Sequence, residues 1–181
     1  MKLLEDAFLG LCTEANFTHL PRQLEIIKEY AAPLLRQVER ACHKAGYTFH
    51  GPEHVKTIGT NLLRLVPAHL MGIDAQPIGP YELLILMGAA YTHDLGMLEP
   101  EDRKTHNVIS AQKIYNFDSG ASRIDGVDDQ IAYRIGSLCR AHRDHKEENL
   151  RVDTLSSVAD GYLSGRLIRM QLLECLFRLA V

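Results

Sequence analysis

The chain has no CxxC pair: its four cysteines, Cys12, Cys42, Cys139 and Cys175, lie far apart, each among apolar or helix-forming neighbours. That arrangement fits buried free thiols in a reducing compartment rather than a disulfide framework. No apolar run reaches the length of a membrane span. The opening MKLLEDAFLG carries Glu5 and Asp6, acids that a secretory or transit segment avoids, so cytoplasmic localisation is the expectation. Charge of one sign is scarce as well. A net charge of -3 with histidine neutral gives no general attraction to nucleic acid or to an anionic membrane, so any polyanion site has to be local. Nothing resembles a P-loop, a dinucleotide fingerprint or a Gly-x-Ser-x-Gly elbow, and phosphate recognition by those routes is unsupported.

What is present is mostly helix. With 181 residues, 46% apolar and 24% charged, the chain suits one soluble domain, or one domain plus a helical appendage, and a single globular unit is expected. Residues 21–45 place Leu24, Ile27, Leu34 or Leu35, Val38 and Ala41 on one stripe, with Gly46 as a stop and Pro33 as a kink or a split. A second helix follows Pro52, with Val55, Ile58, Leu62 and Leu65 or Val66 at helical spacing. The third, from Gly79-Pro80 to about Asp94, is apolar around most of its circumference and belongs in the centre of the fold. Further helical patterns cover HNVISAQKIYNF, DDQIAYRIGSLCRAHRDH and RLIRMQLLECLFRLAV, while residues 118–126 and 151–165 read as connections, the second with room for a short helix. No alternating strand pattern stands out. The expectation is an all-α bundle of about six or seven helices. Because the amphipathic pattern is still running at Val181, a longer native protein is also expected.

The apolar stretch LLILMGAAYT ends abruptly in His93-Asp94, the two side chain types most used to hold metal ions. Of nine histidines, His54, His93, His106, His142 and His145 fall near predicted helix ends, where packed helices can bring distant residues to one pocket. Each also has a structural explanation. His93 would meet the helix macrodipole and Asp94 would cap the turn into Gly96. His54, His106 or His142, taken singly, would be surface or satisfied core residues. His19, His43, His50 and His69 are assigned no function, and His145 shares a solvated, charged helix end with His142.

Taken together, GPEHVKTIG, AAYTHDLGM, DRKTHN and CRAHRDH resemble, in order, the motifs of the HD-domain superfamily of metal-dependent phosphohydrolases, over roughly residues 46–180. The resemblance implies an HD-domain helical bundle from residue 46, with residues 1–45 as an N-terminal helical extension packing on the core. It implies His54, His93, Asp94, His106 and His142 as ligands of one or two divalent ions (Mn, Fe, Ni, Mg or Zn), with Asp94 bridging them and holding the nucleophilic water. His106 would be a second-metal ligand or a donor to the leaving oxygen. The wording AAYTHDLGM followed by RKTHN looks most like the branch fused to chaperone-type ATPase domains in bacterial conflict or stress proteins. One departure is clear: where the family's C-terminal LxRLAD ends in a carboxylate ligand, LFRLA here runs into Val181. Asp153 or Asp160 would have to substitute, and an apo or weakly metallated domain is one expectation.

The expected activity is hydrolysis of a phosphomonoester or phosphodiester in a nucleotide or nucleic acid, with Asp94 and His106 as the catalytic pair. Arg103, Lys104, Arg143 and His145 are the candidate substrate contacts, along with Arg140, although exposed cations at helix ends usually stay solvated. The mild negative charge argues against extended duplexes, and no interleaved aromatic and basic stretch marks a single-strand platform. The alternative is a catalytically inactive sensory or scaffolding module that regulates an attached or partner ATPase domain through its last helix. No membrane contact is expected, and the oligomeric state stays open.

Overall fold

The computed structural model describes residues 1–46, 50–73, 78–99, 104–142, 145–147, 150–152 and 159–181, with residues 145–147 and 150–152 described by backbone only. Seven α-helices are present among them: α1 (Lys2–Glu14), α2 (His19–Lys44), α3 (Pro52–Leu65), α4 (Pro80–Thr92), α5 (His106–Ile114), α6 (Asp129–Ala141) and α7 (Met170–Ala180). The described strands are two or three residues long and form three antiparallel hairpins, β1 (Tyr115–Asn116) with β2 (Ala121–Ser122), β3 (His145–Glu147) with β4 (Leu150–Val152), and β5 (Gly161–Leu163) with β6 (Arg166–Ile168). The domain is an all-α bundle, as the lack of alternating patterns predicts.

Helix α4 is the axis. Every residue from Pro80 to Ala90 is buried, because a helix that is apolar all round can lower its free energy only by being surrounded. Helices α1, α2, α3, α6 and α7 pack against it, and α5 packs on α6 and on the 3-10 turn Leu95–Leu98 that follows α4. The helix starts where Pro80 supplies a preset φ and the Glu82 carboxylate accepts the Gly79 N–H at 3.0 Å. Glu82 is itself buried, and its charge is met by Arg169, whose backbone N, Nε and Nη2 lie 3.0, 3.0 and 2.7 Å from its oxygens.

In α2 the buried stripe Leu20, Leu24, Ile27, Ala31, Leu35, Val38 and Cys42 advances by three or four residues, the helical period read from the sequence. Burial of each large aliphatic side chain of this kind is worth about 1.5–3 kcal/mol. Helix α6 opens on Asp128, whose carboxylate accepts the N–H groups of Gln130 and Ile131 at 2.9 and 3.1 Å.

Several expectations need correction. Pro33 does not split α2, which runs unbroken from His19 to Lys44; the residue sits on the exposed side, where losing one hydrogen bond is tolerable. The helical pattern in HNVISAQKIYNF stops at Ile114, and Tyr115–Asn116 pairs with Ala121–Ser122 instead. Helix α6 ends at Ala141, and His145–Glu147 is a strand. Residues 166–168, read as helix, are the second strand of a hairpin turned at Ser164 and Gly165, both with positive φ (50° and 76°). In the 151–165 connection, strand residues border the undescribed 153–158. Cys175 is exposed, unlike Cys12, Cys42 and Cys139.

Two outcomes are expected from this packing. A Cβ at Gly96 would collide with the backbone carbonyl of His106, so Gly96→Ala should lower stability in urea titration by about 1–3 kcal/mol. Burial pushes the Cys139 thiol up to about 12 and the Cys12 thiol up to about 11. At pH 8 the folded chain should therefore give one fast equivalent with a disulfide-exchange reagent, from the exposed Cys175, and the rest only after denaturation.

Candidate metal centre

The end of α4 delivers His93 as its C-cap and Asp94 immediately after it, and both are buried, at 1% and 2% exposure. Four imidazoles converge on the Asp94 carboxylate. His50 Nδ1, His54 Nε2 and His93 Nε2 lie 2.9, 3.7 and 3.2 Å from Oδ2, while His106 Nε2 lies 3.7 Å from Oδ1. A fifth ring, His142, places Nε2 3.3 Å from His106 Nε2 and stands edge-on to His93 with ring centroids 5.2 Å apart. The residues form two overlapping triads, His50/His54/Asp94 and Asp94/His106/His142, in each of which the ligand atoms lie within 4.8 Å of one another. The two oxygens of one carboxylate thus face two separate sets of rings.

Local structure explains the convergence. His54 sits in the first turn of α3. Gly51, at φ 137°, turns the chain into that helix and brings His50 back beside it; a side chain there would meet Glu39 Cβ at 2.9 Å. His106 opens α5, which is held against the turn after Asp94 by the close approach of Gly96 and by the Gly96 N–H donating to Ser110 Oγ at 2.7 Å. His142 caps α6. The Ala141 carbonyl accepts from Nε and Nη2 of Arg178 in α7 at 2.9 and 2.6 Å, and the Arg140 carbonyl accepts from Asn107 Nδ2 at 2.6 Å. Phe177 stands edge-on to the rings of His93 and His142.

The hydrogen bonds also set tautomers. His93 Nδ1–H donates to the Ala90 carbonyl at 3.2 Å and His142 Nδ1–H to the Cys139 carbonyl at 2.6 Å, which leaves the lone pair of each Nε2 facing inward. The buried His93 Nε2 has no hydrogen-bond partner among the described residues, Asp94 Oδ2 being close but misaligned. This is the arrangement of ligating imidazoles, in which a backbone carbonyl fixes the far nitrogen. Five imidazoles and one carboxylate suit a late first-row divalent ion better than Mg.

The electrostatics favour an ionised carboxylate and two neutral rings, while His93 is drawn the other way. Burial acts to raise the Asp94 carboxyl, but His93 and His50 more than reverse it and hold the group well below the usual carboxylate range. His142 is pushed down to about 3, and His54 downward, by burial and by the neighbouring His93. For His93, burial works downward and the Asp94 charge outweighs it. The site therefore keeps its carboxylate ionised and His54 and His142 neutral, the states a metal requires.

Among the residues singled out from the sequence, His54, His93, Asp94, His106 and His142 are brought together. Lys104 is exposed at the approach to α5. Arg103 and Arg143 lie outside the described residues, and His145 is described only as backbone in β3. Asp153 is outside the described residues, and Asp160 is exposed and accepts the Gln171 N–H at 3.2 Å at the start of α7. His50 was assigned no function from the sequence and is in fact the imidazole nearest to Asp94. Its signal was the Gly-Pro turn between two histidines four residues apart. His19 contacts the Tyr81 hydroxyl at 3.1 Å instead.

After dialysis against Mn or Zn, elemental analysis should find bound metal on the wild-type chain and almost none on Asp94→Asn. His50→Ala should weaken binding by about 10- to 100-fold. Equal loading of wild type and Asp94→Asn would remove the cluster as a metal centre.

Comparison with known proteins places the chain by family alone. Neither the curated proteins nor the solved structures give a match. A family model described as HD-CE matches residues 44–180, the segment that supplies all six residues of the cluster. With well over half of its length so matched, the chain belongs to the HD-CE family and carries an HD-type domain.

Proposed function

We propose that this protein is a metal-dependent phosphohydrolase that cleaves a phosphate ester in a nucleotide or nucleic acid. The observation that carries the reading is the buried Asp94 carboxylate, with one oxygen facing His50, His54 and His93 and the other facing His106. Asp94 would hold one or two divalent ions, together with His50 and His54 on one side and His106 and His142 on the other. A bound Mn, Fe, Ni or Zn ion supplies Lewis acidity, which activates water near neutral pH and draws charge from the phosphoryl oxygens.

The chain's own residues do the rest. Asp94, His93 and His106, with side chains at most 5% exposed, form a rigid floor whose donors cannot reorient toward solvent. His50 and His54, at 20% and 18%, are the most exposed members and mark the side from which a phosphate ester approaches. The rings of His93 and His142 are held through Nδ1 by backbone carbonyls, which keeps each Nε2 directed inward. His106 Nε2, 3.7 Å from Asp94 Oδ1, serves in this reading either as a ligand of the second ion or as a donor to the leaving oxygen. Lys104, and Arg103, Arg143 and His145 beyond the described side chains, are the proposed phosphate contacts.

A second reading has one specific observation behind it. Helix α7 exposes Leu172 and Leu179, at 40% and 71%, on the side away from Phe177 and Leu173. A partner surface, such as a fused chaperone-type ATPase domain, would cover such residues, and the HD-type domain would then serve as its regulator. Among the described residues no helix is long and apolar enough to cross a membrane.

The test is turnover of bis-p-nitrophenyl phosphate by the metal-loaded chain, followed as nitrophenolate release. Wild type should turn over, and Asp94→Ala should lose more than about a hundredfold while keeping its helical circular dichroism. Absence of turnover with every metal tried would favour the regulatory reading.

A further inference from the structure

A cavity of about 520 Å³ lies on the outer faces of α5 and α6 and the β1–β2 turn, lined by Val108, Lys113, Phe117, Asp118, Arg123 and Arg140 among others. None of the six cluster residues lines it. On α5 the two sites use opposite sides of the helix: His106, Asn107 and Ser110 are buried, whereas Val108, Ile109 and Gln112 face outward. The volume is in the range that holds a small organic ligand.

Three features give the cavity a chemistry. Its aromatic wall is braced. Phe117 packs edge-on to Tyr115 and Tyr133, with centroids 5.1 and 6.1 Å away, and Gly136 comes so close behind it that a Cβ there would meet Phe117 Cζ at 3.4 Å. The Arg140 guanidinium lies over the Phe117 ring, 5.8 Å from its centroid. Second, the cations are unspent. Among the described residues neither the Arg123 nor the Arg140 side chain makes an ion pair or hydrogen bond, while the third cation, Lys113, is held by Glu99 at 2.7 Å. Third, the wall also carries Asp118, an exposed carboxylate whose side chain has no ion-pair partner among the described residues.

An aromatic face, two guanidinium groups without an ion pair among the described residues and a carboxylate acceptor match a planar base, a phosphate and a ribose diol. We infer that this cavity is a second binding site, separate from the metal centre, for a nucleoside monophosphate whose base enters between Phe117 and Arg140. A ring stacked on both sides needs about 7 Å, two contact distances of about 3.5 Å, so the exposed Arg140 has to retreat by about 1 Å. Among the described residues only the aromatic contact holds its side chain. Arg123 then meets the phosphate and Asp118 accepts from the ribose hydroxyls. A half-open volume of this size takes one nucleotide.

Calorimetric titration of the whole chain with AMP tests the inference. EDTA is present throughout, so the result does not depend on metal or on hydrolysis. Saturable one-to-one binding is expected, with ribose 5-phosphate and adenosine each weaker by about tenfold or more. Phe117→Ala should weaken AMP binding by about tenfold. Because that variant removes a braced ring, Arg123→Gln and Arg140→Gln, both at exposed positions, provide the check that does not touch the fold. Arg123→Gln should weaken AMP more than adenosine, whereas Arg140→Gln, which removes the contact with the base, should weaken both alike. No saturable AMP binding, equal affinity for ribose 5-phosphate, or unchanged binding by both arginine variants would overturn the assignment.

Discussion

A carboxylate with 2% exposure in the middle of a helical bundle has to be neutralised, and the construction around Asp94 follows from that need. An isolated buried acid usually resolves the problem by taking up a proton. Asp94 does the reverse. Its neighbours hold it ionised, and two of them, His54 and His142, are themselves driven toward the neutral form. Negative charge and inward lone pairs are thus concentrated in one small volume, a donor set that could hold a divalent cation.

No single element could build this. The central helix can bring its last residues to the interior only because it is apolar all round. The rings that meet them come from the approach to α3, the start of α5 and the end of α6, each set by a contact with little tolerance: the Gly51 turn, the Gly96 approach, and the Arg178 clamp on the Ala141 carbonyl. Since the donors meet only in the folded chain, any ion bound there would be thermodynamically linked to folding, and whatever stabilises the packing of α5, α6 and α7 also sharpens the site.

The sequence made the architecture legible wherever a pattern was long. The α2 stripe and the uniform α4 announce themselves, and the abrupt polarity of His93-Asp94 draws attention because it breaks an apolar run. Features set by two or three residues were hidden. The β hairpins are too short to show alternation, and the helical period continues through Tyr115 and Leu167 although the backbone has changed. His50 was overlooked for a related reason: its closeness to Asp94 comes from one glycine torsion, which composition does not encode. The aromatic and cationic wall around Phe117 was equally hidden, because Arg140 joins it from another helix.

Residues before position 44 fall outside the family match, yet α2 is not an ornament. Ala31 and Leu35 pack with Leu95, and Val38 and Cys42 pack with Met97, so the turn that fixes Asp94 rests on a helix contributed from outside the matched segment. The boundary drawn by sequence similarity therefore does not coincide with the boundary of mechanical support. A fragment cut at the edge of the match would keep all six residues of the cluster while losing the buttress that holds the Asp94 carboxylate in place.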